Sequence, residues 1–171
     1  MKLLFIPLLY SSIAFASLDT IYSFQANFSQ TVTDDKNVSI SYEGYVQAKK
    51  PQNALWNYQT PIVKDIYINQ YRVVVVEPEI EQVIIRKIES SFDFFKMIRN
   101  AKKINDTTYE AHYMESQFII TIQDDFIQAI AYIDSFENNV KITFTKQKQN
   151  IKIDKEVFIA DYPRDFDVVG D

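Results

Sequence analysis

The side chains able to do chemistry are few and scattered. There is one histidine, His112, alternating within an extended run beside Tyr113, and no cysteine anywhere. A lone histidine supports neither a His-pair metal site nor a histidine-activated nucleophile. Asp34-Asp35 and Asp124-Asp125 fall where turns are expected, and acids in turns hydrogen-bond their own backbone. Adjacent carboxylates in one turn do not make a glycosidase pair without a cleft. Two glycines in 171 residues rule out a glycine-rich phosphate loop. The pattern points away from an enzyme, with no cofactor and no metal expected.

What the chain offers instead runs from Tyr42 to Val83. It reads as a strand, a Lys49-Lys-Pro51 corner, an aromatic strand with Trp56 and Tyr58, and two further strands split by Glu77-Pro78. That is an apolar surface with one cation, Lys50, at its edge. Such a surface binds rather than reacts.

The elements that position it follow from periodicity. Leu18, Ile21, Tyr22, Phe24 and Phe28 lie near helical spacing, with Asp19 at the start, and predict an amphipathic helix that begins the stretch after Ala16 and ends near Asn27 or Phe28. Phe24 and Phe28 would pack onto a sheet and wall a ligand cavity. From Val38 the period becomes two: Val38, Ile40, Tyr42, Gly44, Val46 and Ala48 alternate with polar residues, as on a half-buried antiparallel strand. Ala54, Trp56 and Tyr58 continue that face, Val73 to Val76 form a β-branched strand that Pro78 ends, and Val83 to Ile88 form the next. Glu89 to Lys103 returns to helical spacing through Phe92, Phe95, Met97, Ile98 and Ala101, with Ser90 or Ser91 as N-cap. Strands are then expected at 108–113, 118–122, 127–133, 140–145 and 151–158. A large antiparallel sheet of this kind curls, with its inner face under the two helices. If the sheet is open, Trp56 and Tyr58 line a cavity; if it closes, they are ordinary core. Val74, Val76, Phe118 and Ile120 face the same choice, because strand parity alone leaves both faces open.

Met1 to Ala16 carries one basic residue, Lys2, an apolar run from Leu3 to Tyr10, and Ala14-Phe15-Ala16 at its end. This describes a secretory signal peptide cleaved after Ala16, followed by one domain over 17–171. The net charge of −5, without a basic cluster, argues against nucleic acid.

The order and spacing of several short motifs carry a resemblance. They are Phe24-Gln-Ala-Asn-Phe-Ser-Gln30, Glu43-Gly44, Lys49-Lys-Pro51 with Trp56-Asn-Tyr58, Pro61, Val76-Glu-Pro-Glu-Ile-Glu-Gln82, Asp161-Tyr-Pro163 and Phe166-Asp-Val-Val169. Together they resemble the periplasmic lipoprotein carriers of the LolA family. The resemblance implies an incomplete β-barrel, a curved antiparallel sheet whose apolar interior is covered by amphipathic lid helices. It further implies a monomeric periplasmic chaperone that takes acylated lipoproteins from an inner-membrane ATP-driven (ABC) transporter to an outer-membrane receptor. On that reading the acyl-binding cavity comprises Phe24, Phe28, Trp56, Tyr58, Val74, Val76, Phe92, Phe95, Ile98, Phe118 and Ile120. The family's latch arginine is replaced by Lys50, a compact charge without the planar fork, and Ala54 stands where an aromatic is common. Two alternatives stay open: an exported half-barrel for a free hydrophobic small molecule or glycolipid, and a domain whose cavity its own lid fills permanently.

Overall fold

The structure is a computed structural model and describes residues 18–87, 93–113 and 115–170. The expected signal peptide over 1–16 and Phe92 lie outside these residues. Twelve strands form a single sheet: β1 (Ser23–Thr33), β2 (Ser39–Lys49), β3 (Asn53–Thr60), β4 (Lys64–Ile68), β5 (Arg72–Glu77), β6 (Gln82–Lys87), β7 (Lys102–Lys103), β8 (Thr108–Tyr113), β9 (Ser116–Gln123), β10 (Phe126–Ile133), β11 (Asn139–Gln149) and β12 (Asp167–Gly170). Their order is β12-β6-β5-β4-β3-β2-β1-β11-β10-β9-β8-β7, so β12 and β7 are edges and the sheet does not close. All neighbours are antiparallel except β12, which runs parallel to β6.

Register gives the sheet one continuous inner face. Ala26, Val46, Trp56, Ile66, Val75 and Ile84 stand opposite one another across six strands. On the other wing Ile120, Ile130, Ile142, Gln30 and Tyr42 do the same. Residues directly opposite project to one side of the sheet. The main core therefore lies on this face, with Phe24, Phe28, Ile120 and Phe144 buried in it.

Two elements depart from expectation. Residues 18–28 do not form the expected helix: a 3-10 turn at Leu18–Thr20 is followed by β1, the strand that joins the two wings. Phe24, Ala26 and Phe28 alternate inward while Gln25, Asn27 and Ser29 face away, and two paired neighbours outweigh a local helical spacing. Residues 151–158 are not a strand either. They leave the sheet end and start a segment over its outer face, fixed where the Ser23 hydroxyl donates to the Ile151 carbonyl (2.7 Å) and Lys49 Nζ to that of Ile153 (2.6 Å). Ile153 and Phe158 are the buried side chains of this segment. Farther along, Ala160, Tyr162 and Phe166 cover Val74, Val76 and Val83 on the outer face, and β12 then pairs with β6.

The turns follow their residue chemistry. Asp34 Oδ1 accepts from the Lys36 and Val38 amides at 2.9 and 2.8 Å. Asp124 and Asp125, at φ 50° and 65°, make the left-handed two-residue turn between β9 and β10.

Candidate functional site

Among the described residues one helix lies inside the half-barrel, α1 (Phe94–Arg99); of the expected span 89–103, residues 89–92 lie outside the described residues and 100–103 are not helical. Its N-cap is Asp93, and the expected caps Ser90 and Ser91 lie outside the described residues: the Asp93 carboxylate accepts from the Lys96 amide at 3.0 Å, and the Asp93 amide donates to the Tyr113 hydroxyl at 3.1 Å. Six residues are too few to hold a helix by themselves. Burial holds it, with Phe95, Met97 and Ile98 at most 4% exposed, each contributing about 1.5–3 kcal/mol.

Lys50 ties this helix to its surroundings. Its Nζ donates to the Asp19 carbonyl in the 3-10 turn at 2.9 Å and stands 5.9 Å above the Phe95 ring. One cation thus touches both pieces that cover this part of the inner face. A lysine can do so because one donor reaches the carbonyl while the charge faces the ring.

Among the described residues, apolar space remains at two places beneath and beside α1. The first, about 20 Å³, lies among Phe24, Ala48, Ala54, Trp56, Phe95 and Phe144. The second, about 320 Å³, is bounded by Trp56, Ile68, Phe118, Ile130, Tyr132 and Ile142, with Gln30, Tyr58 and Ile66. Phe94 and Ile68 border both, as does Trp56. Aromatic contacts stiffen the wall: Phe28 meets Trp56 at 5.1 Å and Tyr58 at 5.0 Å, both edge-on. The Tyr58 hydroxyl donates to Gln30 Oε1 at 2.7 Å, which gives the amide in this cross-strand row a partner. Burial, with Tyr132 and Tyr42 nearby, pushes the Tyr58 hydroxyl well above the usual tyrosine range. Burial and Asp134 raise Tyr132 likewise.

The residues singled out from sequence divide cleanly. Phe24, Trp56, Tyr58, Phe95 and Phe118 border the two spaces. Phe28, Ile98 and Ile120 are packed behind them in the same core. Val74 and Val76 do not belong to the cavity. They point to the opposite side of β5, under Tyr162 and Phe166, whereas Val75 shares the inner face with Ile66. Sequence reasoning missed Phe94, Ile66, Ile68, Ile130, Tyr132 and Ile142. The last three were legible as alternate positions of expected strands; Phe94 was hidden beside Phe95 in a run of aromatics.

An open antiparallel half-barrel, with an apolar interior under a short marginal helix, defines the class: a scaffold built to enclose a hydrophobic ligand. The sequence profile described as outer membrane lipoprotein carrier protein LolA matches residues 19–107. The chain belongs to the LolA family. It is 32% identical over 160 residues to a Wolinella succinogenes protein named outer-membrane lipoprotein carrier protein, covering 93% of each chain. It is 37% identical over 147 residues to a protein of the same name from Campylobacter jejuni, covering 86% of each. In fold it is similar to an uncharacterized conserved protein from Thermus thermophilus, with TM-score 0.55 and 11% identity over 90% of this chain and 93% of that one.

Proposed function

We propose that this protein is a non-enzymatic periplasmic carrier of lipoproteins, holding their acyl chains in the half-barrel during transit. The observation that carries the proposal is the apolar cavity of about 320 Å³ beside α1, within the range of roughly 300–1,000 Å³ typical of ligand sites. The names of the relatives support the same cargo. An acyl chain gains about 0.8 kcal/mol per methylene on burial, so roughly ten methylenes match the burial that holds α1. Ligand and helix then compete for one surface, and release is driven by the helix returning.

In this proposal residues 1–16 export the chain and are removed after Ala16. An inner-membrane ABC transporter loads the carrier, and an outer-membrane lipoprotein receptor unloads it. The working form is a monomer, since one half-barrel supplies the whole cavity. Lys50 is the latch that α1 and the 3-10 turn must release.

Spheroplasts with radiolabelled lipoproteins provide the test. Added mature protein should bring outer-membrane lipoproteins into the supernatant as a soluble one-to-one complex. Failure to release them, together with tight binding of an apolar dye, would transfer the assignment to a carrier of free hydrophobic molecules or glycolipids. Failure of both would leave a half-barrel that its own helix fills.

A further inference from the structure

One cation on the inner face is unaccounted for by the latch. Lys64, Ile66 and Ile68 alternate along β4, and Ile66 and Ile68 border the larger cavity, so Lys64 projects to the same side. It stands opposite Tyr58 in the register. Its Nζ lies 5.0 Å from the centroid of the Tyr58 ring and 5.9 Å from that of Tyr42. The two rings meet edge-on at 5.9 Å. The adjacent carboxylate, Asp65, falls on the other face, where it accepts from Asn57 Nδ2 at 2.6 Å. No described acidic side chain lies within ion-pair distance of Lys64 Nζ.

A half-buried cation held on aromatic faces keeps its three N–H donors for a ligand. Next to it, the Tyr58 hydroxyl is committed to Gln30 Oε1, which turns the Gln30 amide N–H groups into further donors. This donor-rich collar sits where β1, β2 and β4 approach the hairpin end of the sheet. The far end of the cavity is the entirely apolar wall of Ile68, Trp56 and Phe94. A bipolar site of this form selects and orients an amphiphile.

We propose that Lys64, with Tyr42, Tyr58 and Gln30, forms a headgroup subsite that takes the oxygen acceptors of an acyl ligand while its chain lies toward Phe94. The acceptors are ester or amide carbonyls, or a carboxylate. Cationic heads are rejected by the Lys64 charge. The subsite rests on the acyl-binding reading of the cavity, and adds to it a direction of entry and a preference among heads.

Three probes of equal chain length separate the possibilities: dodecanoate, 1-monododecanoylglycerol and dodecylammonium, each titrated below micelle formation with Trp56 fluorescence as readout. The wild type should bind the carboxylate and the ester at least about tenfold tighter than the ammonium, the effect of one charge-assisted hydrogen bond. Lys64→Met should erase that difference and Lys64→Arg should keep it. Loss confined to dodecanoate would assign the subsite to an anionic head; loss shared with the glycerol ester would assign it to carbonyls. Equal binding of all three by the wild type, or a parallel loss of all three in Lys64→Met, would overturn the subsite and leave the acyl cavity standing. Binding of none would overturn both.

Discussion

The Phe28 ring lies directly on Gly44. A β-carbon at position 44 would stand 2.9 Å from Cε1 and Cζ of that ring and 2.0 Å from the Asn57 carbonyl oxygen. The register between β2 and β3 shifts at the same place, between Glu43 and Gly44. Space, not a special φ, demands glycine here. Gly44→Ala should therefore force β3 away from β2 and cost at least about 3 kcal/mol, the upper range of overpacking penalties, in urea unfolding. A loss under about 1 kcal/mol would mean that the two strands separate freely at this point.

Lys50 spans two covers with a single charge. Its contacts, a hydrogen bond to the Asp19 carbonyl and the Phe95 ring below, are together worth about 1–2 kcal/mol at a partly exposed site. Lys50→Leu should lower global stability by no more than that, while apolar-dye uptake accelerates several-fold because α1 lifts more often. Lys50→Arg should restrain uptake again, since guanidinium both donates and stacks. Stopped-flow fluorescence beside equilibrium unfolding separates the two effects. Stability and uptake moving in proportion would make Lys50 a structural lysine and no latch.

The architecture was legible because most strands have one wet face. Val38 to Ala48 alternates cleanly, and β2 runs where that alternation puts it. Legibility failed where a single face had to be read through exceptions. In β1 the inward set is Phe24, Ala26, Phe28, Gln30, Val32; small Ala26 and polar Gln30 conceal the period, and Leu18 with Ile21 imitates a helix. Gln30 becomes intelligible only once Tyr58 is seen to donate to it. In β5, Val73 to Val76 is apolar at every position although its faces differ: Val74 and Val76 are buried under Tyr162 and Phe166, while Val73 and Val75 on the inner face are half-buried. Four valines in a row show no alternation, so no parity rule can choose between the faces. The expected strand over 151–158 looked like β because Ile151 and Ile153 alternate, yet its carbonyls are taken by Ser23 and Lys49 side chains.

The two faces of β5 make separable predictions. Val76 is 4% exposed under the carboxy-terminal segment. Val76→Ala should cost about 1–3 kcal/mol, less than for a larger aliphatic residue, and leave dye affinity unchanged. Val75→Glu, on the inner face, should depress dye affinity far more than Val76→Ala does. Equal effects on affinity would show that the covering segment and the cavity are coupled through the strand.

Tyr58 and Tyr132 predict a specific alkaline weakness. Burial raises both hydroxyls above the ordinary value of 10.0. Above pH 10 the unfolded chain gives up these protons while the folded chain keeps them, so stability falls as pH rises, by about 1.4 kcal/mol per pH unit for each such group. The contribution is complete below pH 10. Tyr58→Phe should lose about 1 kcal/mol at pH 8, where only the Gln30 hydrogen bond is missing, and this deficit should shrink as pH passes 10. Parallel stability curves for the two proteins between pH 8 and 11 would show that Tyr58 ionises as in water.

Phe94 divides the interior. Its ring borders both the 20 Å³ and the 320 Å³ space and lies 5.9 Å from Phe24 and 5.3 Å from Phe95. Taking a methylene as close to a water's share of liquid volume, ~30 Å³, the larger space holds roughly ten of them. Of the three side chains that border both spaces, Trp56 and Ile68 stand on strands and Phe94 alone stands on α1. Phe94→Ala joins the two spaces without removing Phe95, Met97 or Ile98 from the core. Dodecanoate should gain little, whereas hexadecanoate gains up to about fourfold for each further methylene admitted. The ratio of the two affinities is the measurement. Because Phe94 is only half-buried, the stability loss should stay below the ~3–5 kcal/mol of a fully buried Phe→Ala. An unchanged ratio with lowered stability would reduce Phe94 to a wedge that props α1, and the limit on chain length would then belong to the movement of the whole helix.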